Sequence, residues 1–164
     1  MPHTARPARN SFEPRNPDWA ATVRGSFDRQ KVMRLIGAEI GALLPGHCEI
    51  RLPFRDDLTQ QNGYFHAGIT ATIVDSAGGY AGYTLMPAGA DVLTVEFKLN
   101  LLAPAEGEYL VAEGQVLKSG RNLIITRGEV YAIRKGKAIH CATMQQTLMT
   151  MLPKKSTEKN QCSD

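Results

Sequence analysis

The segment from Asn62 to Tyr83, NGYFHAGITATIVDSAGGYAGY, constrains the fold more than any other part of the chain. It opens on turn residues, holds no Lys or Arg, and carries one acid, Asp75, near its middle. Its pattern predicts a helix over 66–83. The helix would be rich in small residues: Ala71, Ala77, Gly78, Gly79, Ala81 and Gly82. A glycine inside a helix costs roughly 1 kcal/mol relative to alanine. Close approach of another backbone offsets that cost, and a strongly curved sheet gripping the helix provides it.

The chain beyond Pro87 has the pattern of such a sheet. In DVLTVEFKLNLLAP, Val95, Phe97, Leu99 and Leu101 alternate with Glu96, Lys98 and Asn100, the period of a half-buried strand. GEYLVAEGQVLKSG, NLIITRGEVYAIRKG and KAIHCATMQQTLMTM continue the series, separated by APAEGE, KSGRN and RKGK, all of turn composition. His140, Cys141 and the methionines between 144 and 151 read as strand packing, and no motif marks Cys141 as a nucleophile. Upstream, SFDRQKVMRLIGAEIGALLPG places Val32, Leu35, Ile36, Ile40 and Leu43 at helical spacing. Ser26 would cap this helix, with Asp28 in its first turn, and Pro45 and Gly46 would end it. A strand over CEIRLPF and a polar loop, RDDLTQQNG, come next. The implied class is α+β: an N-terminal helix, one strand, the long helix, then four antiparallel strands curved around it.

Length and composition fit one globular domain: 164 residues, 43% hydrophobic and 21% charged. Residues 1–20, Pro-rich and polar, and 153–164, polar and charged, are expected as loose tails around a domain at 21–152. No apolar run reaches the ~18 residues of a membrane span, and the start lacks the apolar core of a secretory leader. A net charge of +3 is too small for nucleic-acid binding. Cys48, Cys141 and Cys162 form no CxxC pair, so neither a disulfide framework nor a zinc site is expected, and a reducing, cytoplasmic setting is.

Three motifs carry a resemblance to a known family. HAGITATIVDSA resembles the HGG-x6-D helix of hotdog-fold acyl-CoA thioesterases of the PaaI-like type. VEFKLNLLAPAEGE is similar to that family's V-x-x-N-[FY]-L-x-P strand and turn, and VLKSGRNLI to its G-[RK] hairpin. Together they span residues from about 58 to 148; the departure is Ala67, which stands where the family has its first motif glycine. The resemblance implies a long central helix wrapped by a curved antiparallel sheet. It also implies hydrolysis of acyl-CoA thioesters without metal or cofactor, by a homo-oligomer arranged as a dimer of dimers. Two rival readings are a hydratase or dehydratase acting on acyl-thioesters and a non-catalytic acyl-CoA-binding protein. The nine-residue gap from His66 to Asp75 disfavours the first. The second would want an attached effector segment, and neither tail is long or basic enough for one.

Thioester hydrolysis needs a group to polarise the carbonyl and a group to deliver or activate a nucleophile. Free amides at the helix start, those of Ala67 and Gly68, suit the developing oxyanion. Asp75, among Ile73, Val74, Ala77 and Gly78, is the candidate base or nucleophile, and burial should raise its pKa; the resemblance puts the catalytic acid there. His66 stands at the helix N-terminus, where positive charge is unfavourable, and reads as a neutral residue fixing the loop. The resemblance assigns Gln60, six residues before His66, to the substrate carbonyl or the water, with Asn62 as the alternative. It matches Thr94 to a position that holds the attacking water, although Thr94 also suits an ordinary strand. Lys118, Gly120 and Arg121, in one hairpin, are candidates for the phosphates of CoA. From Gly68 to Asp75 a helix rises about 10 Å. Two helices antiparallel across a twofold axis could therefore share what one helix cannot bring together, giving a homodimer with shared active sites.

Overall fold

The axis of the structure is helix α3 (Ala67–Tyr83). The computed structural model describes residues 12–153. Ahead of α3 come two short helices, α1 (Trp19–Arg29) and α2 (Lys31–Ile36), and the strands β1 (Glu39–Leu44) and β2 (His47–Pro53). After it come β3 (Asp91–Leu101), β4 (Tyr109–Ser119), β5 (Leu123–Arg134) and β6 (Lys137–Met151). The six strands form one antiparallel sheet in the order β1-β2-β4-β5-β6-β3. The sheet packs along α3 from β2 through β4, β5 and β6 to β3, the hotdog arrangement that the resemblance implies.

Small residues on both partners explain how tightly helix and sheet meet. Gly114 and Gly128 stand opposite each other on β4 and β5. A Cβ on the first would strike the Ala77 backbone, and one on the second the Val74 side chain. On the helix, Gly78 makes room for Gln146 and Gly82 for Leu148, whereas a Cβ on Gly79 would meet nothing within 4 Å among the described residues, and Gly79 borders a cleft. The core between them holds Ile50, Leu52, Ile73, Val74, Leu110, Ile124, Met144 and Leu148, all essentially buried.

The N-terminal region departs from its sequence pattern. The helix expected from Ser26 to Leu44 is two helices and a strand. Ser26 lies inside α1 and is not its N-cap. Gln30, with ψ near 96°, separates α1 from α2, and Gly37, at φ 78°, ends α2 in the left-handed conformation. The following residues form β1, which pairs with β2 (Glu39 opposite Arg51, Leu44 opposite His47). Pro45 and Gly46 therefore turn a hairpin and do not end a helix. The spacing of Ile36, Ile40 and Leu43 fits a helix, but hydrogen bonding to a waiting sheet edge overrides so short a signal.

Residues 12–18, expected within a loose tail, are also packed. Phe12 lies against the core, Arg15 Nε donates to the Leu85 carbonyl at 2.8 Å, and Asn16 is buried. The rest of the two expected tails, 1–11 and 154–164, lies outside the described residues. Among the described residues no helix is long and apolar enough to cross a membrane.

Candidate active site

Asp75 sits in the middle of α3, partly buried, on the side facing β3 and β6. Its Oδ1 accepts from Thr94 Oγ1 at 2.8 Å and from Gln146 Nε2 at 3.0 Å. No partner is recorded for Oδ2 among the described residues. Burial pushes the carboxyl pKa above its ordinary value, and the hydrogen bonds from Thr94 and Gln146 partly oppose that rise. The cleft beside it is lined by Ser26, Arg29 and Gln30 of the N-terminal helical region, by Tyr80 of α3, and by Asp91 and Thr94 of β3. The N-terminal helix thus forms one wall of the cleft. Tyr80 is held there by its hydroxyl, 3.2 Å from Gln30 Oε1, and by Phe27, whose ring centroid is 5.7 Å away.

Thr94 reaches Asp75 because β3 is irregular. In a regular strand Thr94 would share a face with Glu96 and Lys98. The pairing with β6 slips between Thr94 and Glu96: Thr94 stands opposite Leu148, and Phe97 opposite Gln146. Leu148 and Gln146 are two positions apart and both buried, so Thr94 and Phe97 share the inward face although they are three positions apart. The extra residue of a bulge reverses parity.

Gln146 is a site residue that motif reading does not single out. Its signal is nevertheless present in KAIHCATMQQTLMTM, where Met144, Gln146 and Leu148 share one parity and Gln146 is the polar member of the inward set.

At the other end of the site, His66 is the N-cap of α3, and its Nδ1 accepts from the Gly68 N–H at 2.9 Å. A ring nitrogen that accepts carries no proton, so the imidazole proton belongs on Nε2. Gly68 N–H is thus engaged. The Ala67 N–H, first in the helix, meets no acceptor among the described residues. The loop leading into it is pinned by His66 N–H to the Leu58 carbonyl at 2.9 Å and Phe65 N–H to the Ala105 carbonyl at 3.0 Å. Gln60 Oε1 caps its own turn by accepting from the Asn62 N–H. Neither Gln60 nor Asn62 lines the cleft at Asp75 within one chain.

Lys118, Gly120 and Arg121 form the exposed end of the β4–β5 hairpin. Gly120 and Arg121 border a groove with Phe12, Arg15 and Leu85, beyond the C-terminal end of α3. Gly120 is tightly placed: its N–H donates to the Leu123 carbonyl at 2.9 Å, and a Cβ there would press on that same oxygen. Cys48 and Cys141 are buried free thiols, whose pKa values desolvation raises to about 12 and about 11. Neither is poised as a nucleophile at neutral pH.

β3 is an edge of the sheet. Leu93, Val95, Phe97 and Leu101 are each roughly half exposed there.

Comparison with known proteins matches this arrangement. A family model described as the thioesterase superfamily matches residues 62–139. The crystal structure of a thioesterase family protein from Silicibacter pomeroyi is 49% identical, covers 82% of this chain and 99% of its own, and superposes with a TM-score of 0.81. Acyl-coenzyme A thioesterase 13 of Homo sapiens is 30% identical over 73% of this chain and 83% of its own length. The E. coli PaaI protein of the phenylacetic acid degradation operon superposes with a TM-score of 0.72 over 84% of this chain; at 14% identity it is alike in fold alone.

Proposed function

The chain belongs to the hotdog-fold thioesterase superfamily and is a hydrolase of that family; from this premise we propose that it cleaves acyl-CoA thioesters to free acid and CoA, with Asp75 as the reacting carboxylate. The observation that carries the reading is the setting of Asp75. A carboxylate placed mid-helix, partly desolvated and hydrogen-bonded through Oδ1, lines a cleft, and no partner for Oδ2 is found among the described residues. A raised pKa makes it a stronger base than an exposed aspartate. Oδ2 either attacks the thioester carbon or takes a proton from the attacking water. Negative charge collects on the thioester oxygen, and the free Ala67 N–H at the positive end of α3 suits it, with the proton on His66 Nε2 as a second donor. Gln60 or Asn62, on the loop before His66, would orient the carbonyl or the water.

These groups do not lie together in one chain. Gly68 and Asp75 are about 10 Å apart along one continuous helix, whereas donors and reacting carboxylate must all lie about 3 Å from the reacting atoms. We therefore propose a homodimer, assembled further into a dimer of dimers. The Asp75 of one protomer would work with the helix start of the other. The free edge of β3 and its half-exposed apolar side chains support this, because such an edge invites a second copy. Two buried thiols with no disulfide fit a cytoplasmic setting.

The test is a panel of acyl-CoA esters, varied in chain length and aromaticity and assayed for free thiol. Turnover should depend on the acyl group. Absence of thiol release across the panel would contradict the proposed reaction.

The basic hairpin makes a separate prediction. Arg121, in a groove beyond the C-terminal end of α3, is proposed to meet a CoA phosphate. Arg121→Ala should raise KM for acyl-CoA and flatten its salt dependence. Hydrolysis of a short thioester lacking the nucleotide should be unchanged. Equal losses on both substrates would show a folding defect and remove Arg121 from the phosphate site.

A further inference from the structure

We propose that Gln146 is a positioning residue for Asp75: its amide, with Thr94, anchors Oδ1, so that Oδ2 is left for the cleft. The inference rests on the reading of Asp75 as the reacting group. Gln146 lies on β6 and is 1% exposed. Its Nε2 is 3.0 Å from Asp75 Oδ1, 3.2 Å from the backbone carbonyl of the same residue, and 3.4 Å from Thr94 Oγ1. One amide thus holds both the side chain and the backbone of Asp75, and touches the other residue that binds Oδ1.

The cost of this arrangement argues that it is more than packing. Among the described residues, Gln146 Oε1 is buried without a hydrogen-bond partner, and so is the Thr126 hydroxyl on the strand position opposite. Unpaired buried polar atoms are destabilising, and an apolar side chain of equal length would avoid the loss. Gly78 belongs to the same device, since a Cβ there would overlap Gln146 Oε1 and crowd Thr126 Oγ1. Helix and sheet give up a side chain and two hydrogen bonds to seat this amide.

Charged and titratable groups nearby come from every neighbouring element. Arg29 of α1, Tyr80 of α3 and Asp91 of β3 line the cleft, and Glu96, Lys98 and Arg127 line a groove that also reaches Gln146. The balance at Asp75 is set by burial, opposed by Thr94 and Gln146. Losing the Gln146 amide removes a bond that the charged form receives and leaves the burial in place. The protonated form then gains, so activity should disappear at a higher pH as the solution is acidified.

Gln146→Met keeps the length and deletes the donor. With the fastest acyl-CoA of the panel, its kcat/KM profile should show the acid limb moved to higher pH. On that limb the rate should fall about tenfold or more, the order expected for a hydrogen bond to a charged group, with a smaller deficit on the alkaline plateau. Gly78→Ala, which leaves both side chains intact but displaces the amide, should move the limb in the same direction. Thermal unfolding identifies which variants are folded. An acid limb that coincides with wild type in a folded variant, while Asp75→Asn is inactive, overturns the role of Gln146 alone. Normal turnover by Asp75→Asn would instead overturn the reading of Asp75.

Discussion

Ala67→Pro and Asp75→Asn homodimers should each be nearly inactive, and refolding the two together should restore roughly a quarter of wild-type activity. Ala67 is the first residue of α3, where proline's fixed φ is native-like and the lost N–H breaks no helical bond. His66 before it is already extended, at φ −62° and ψ 139°, as a residue preceding proline must be. The substitution therefore removes one free donor and little else. Gly68→Pro is a poorer choice, because the Gly68 N–H binds His66 Nδ1 and its loss would also release the N-cap. Deleting an oxyanion donor costs about 10²–10³ in kcat. Random pairing makes half the dimers mixed, and a mixed dimer has one of its two sites with both parts intact, hence about a quarter. The readout is thiol release, with mixed dimers counted by mass. A mixture no more active than its components would place donor and carboxylate in one chain and contradict the shared site.

What the sequence made legible follows from the range of the interactions that decide each element. α3 and β4 to β6 have long, regular patterns, and KSGRN and RKGK close hairpins between β4 and β5 and between β5 and β6, whereas APAEGE crosses from β3 to β4, with which β3 does not pair. Asp75 stood out because one acid in an apolar helix has few explanations. β1 was hidden because six residues with helical spacing are decided by a distant partner strand, β2. Thr94 pointed the wrong way by simple alternation, since a bulge is a property of two strands in register and not of one. Gln146 remained unmarked for a similar reason: its importance comes from lying across the sheet from the middle of α3, 71 residues away in sequence. The half-exposed apolar residues of β3, read from alternation as one face of a strand, acquire meaning when that strand proves to be an edge.

The largest effect should come from Asp75→Asn. Asparagine keeps the size of the side chain and an Oδ1 able to accept from Thr94 and Gln146, and replaces Oδ2, the proposed reacting oxygen, with an amide nitrogen. No base or nucleophile remains, so kcat should fall by about 10²–10⁴ with a smaller change in KM. The variant should remain folded. Because the folded-state pKa of Asp75 is raised, its favourable contribution to stability exists at acid pH and is lost as pH rises through the folded value. Above the folded-state pKa, ionised Asp75 works against folding, and there the neutral amide should unfold at a temperature equal to or above that of wild type. A fall in activity joined to unchanged or raised thermal stability separates chemistry from structure.

The most direct test of the account is therefore kcat for Asp75→Asn beside wild type, measured as thiol release from the best acyl-CoA of the panel with both proteins shown to be folded. The expected loss in kcat is at least about a hundredfold. Turnover within a few-fold of wild type would contradict it, because the carboxylate at the centre of α3 would then have no part in breaking the thioester.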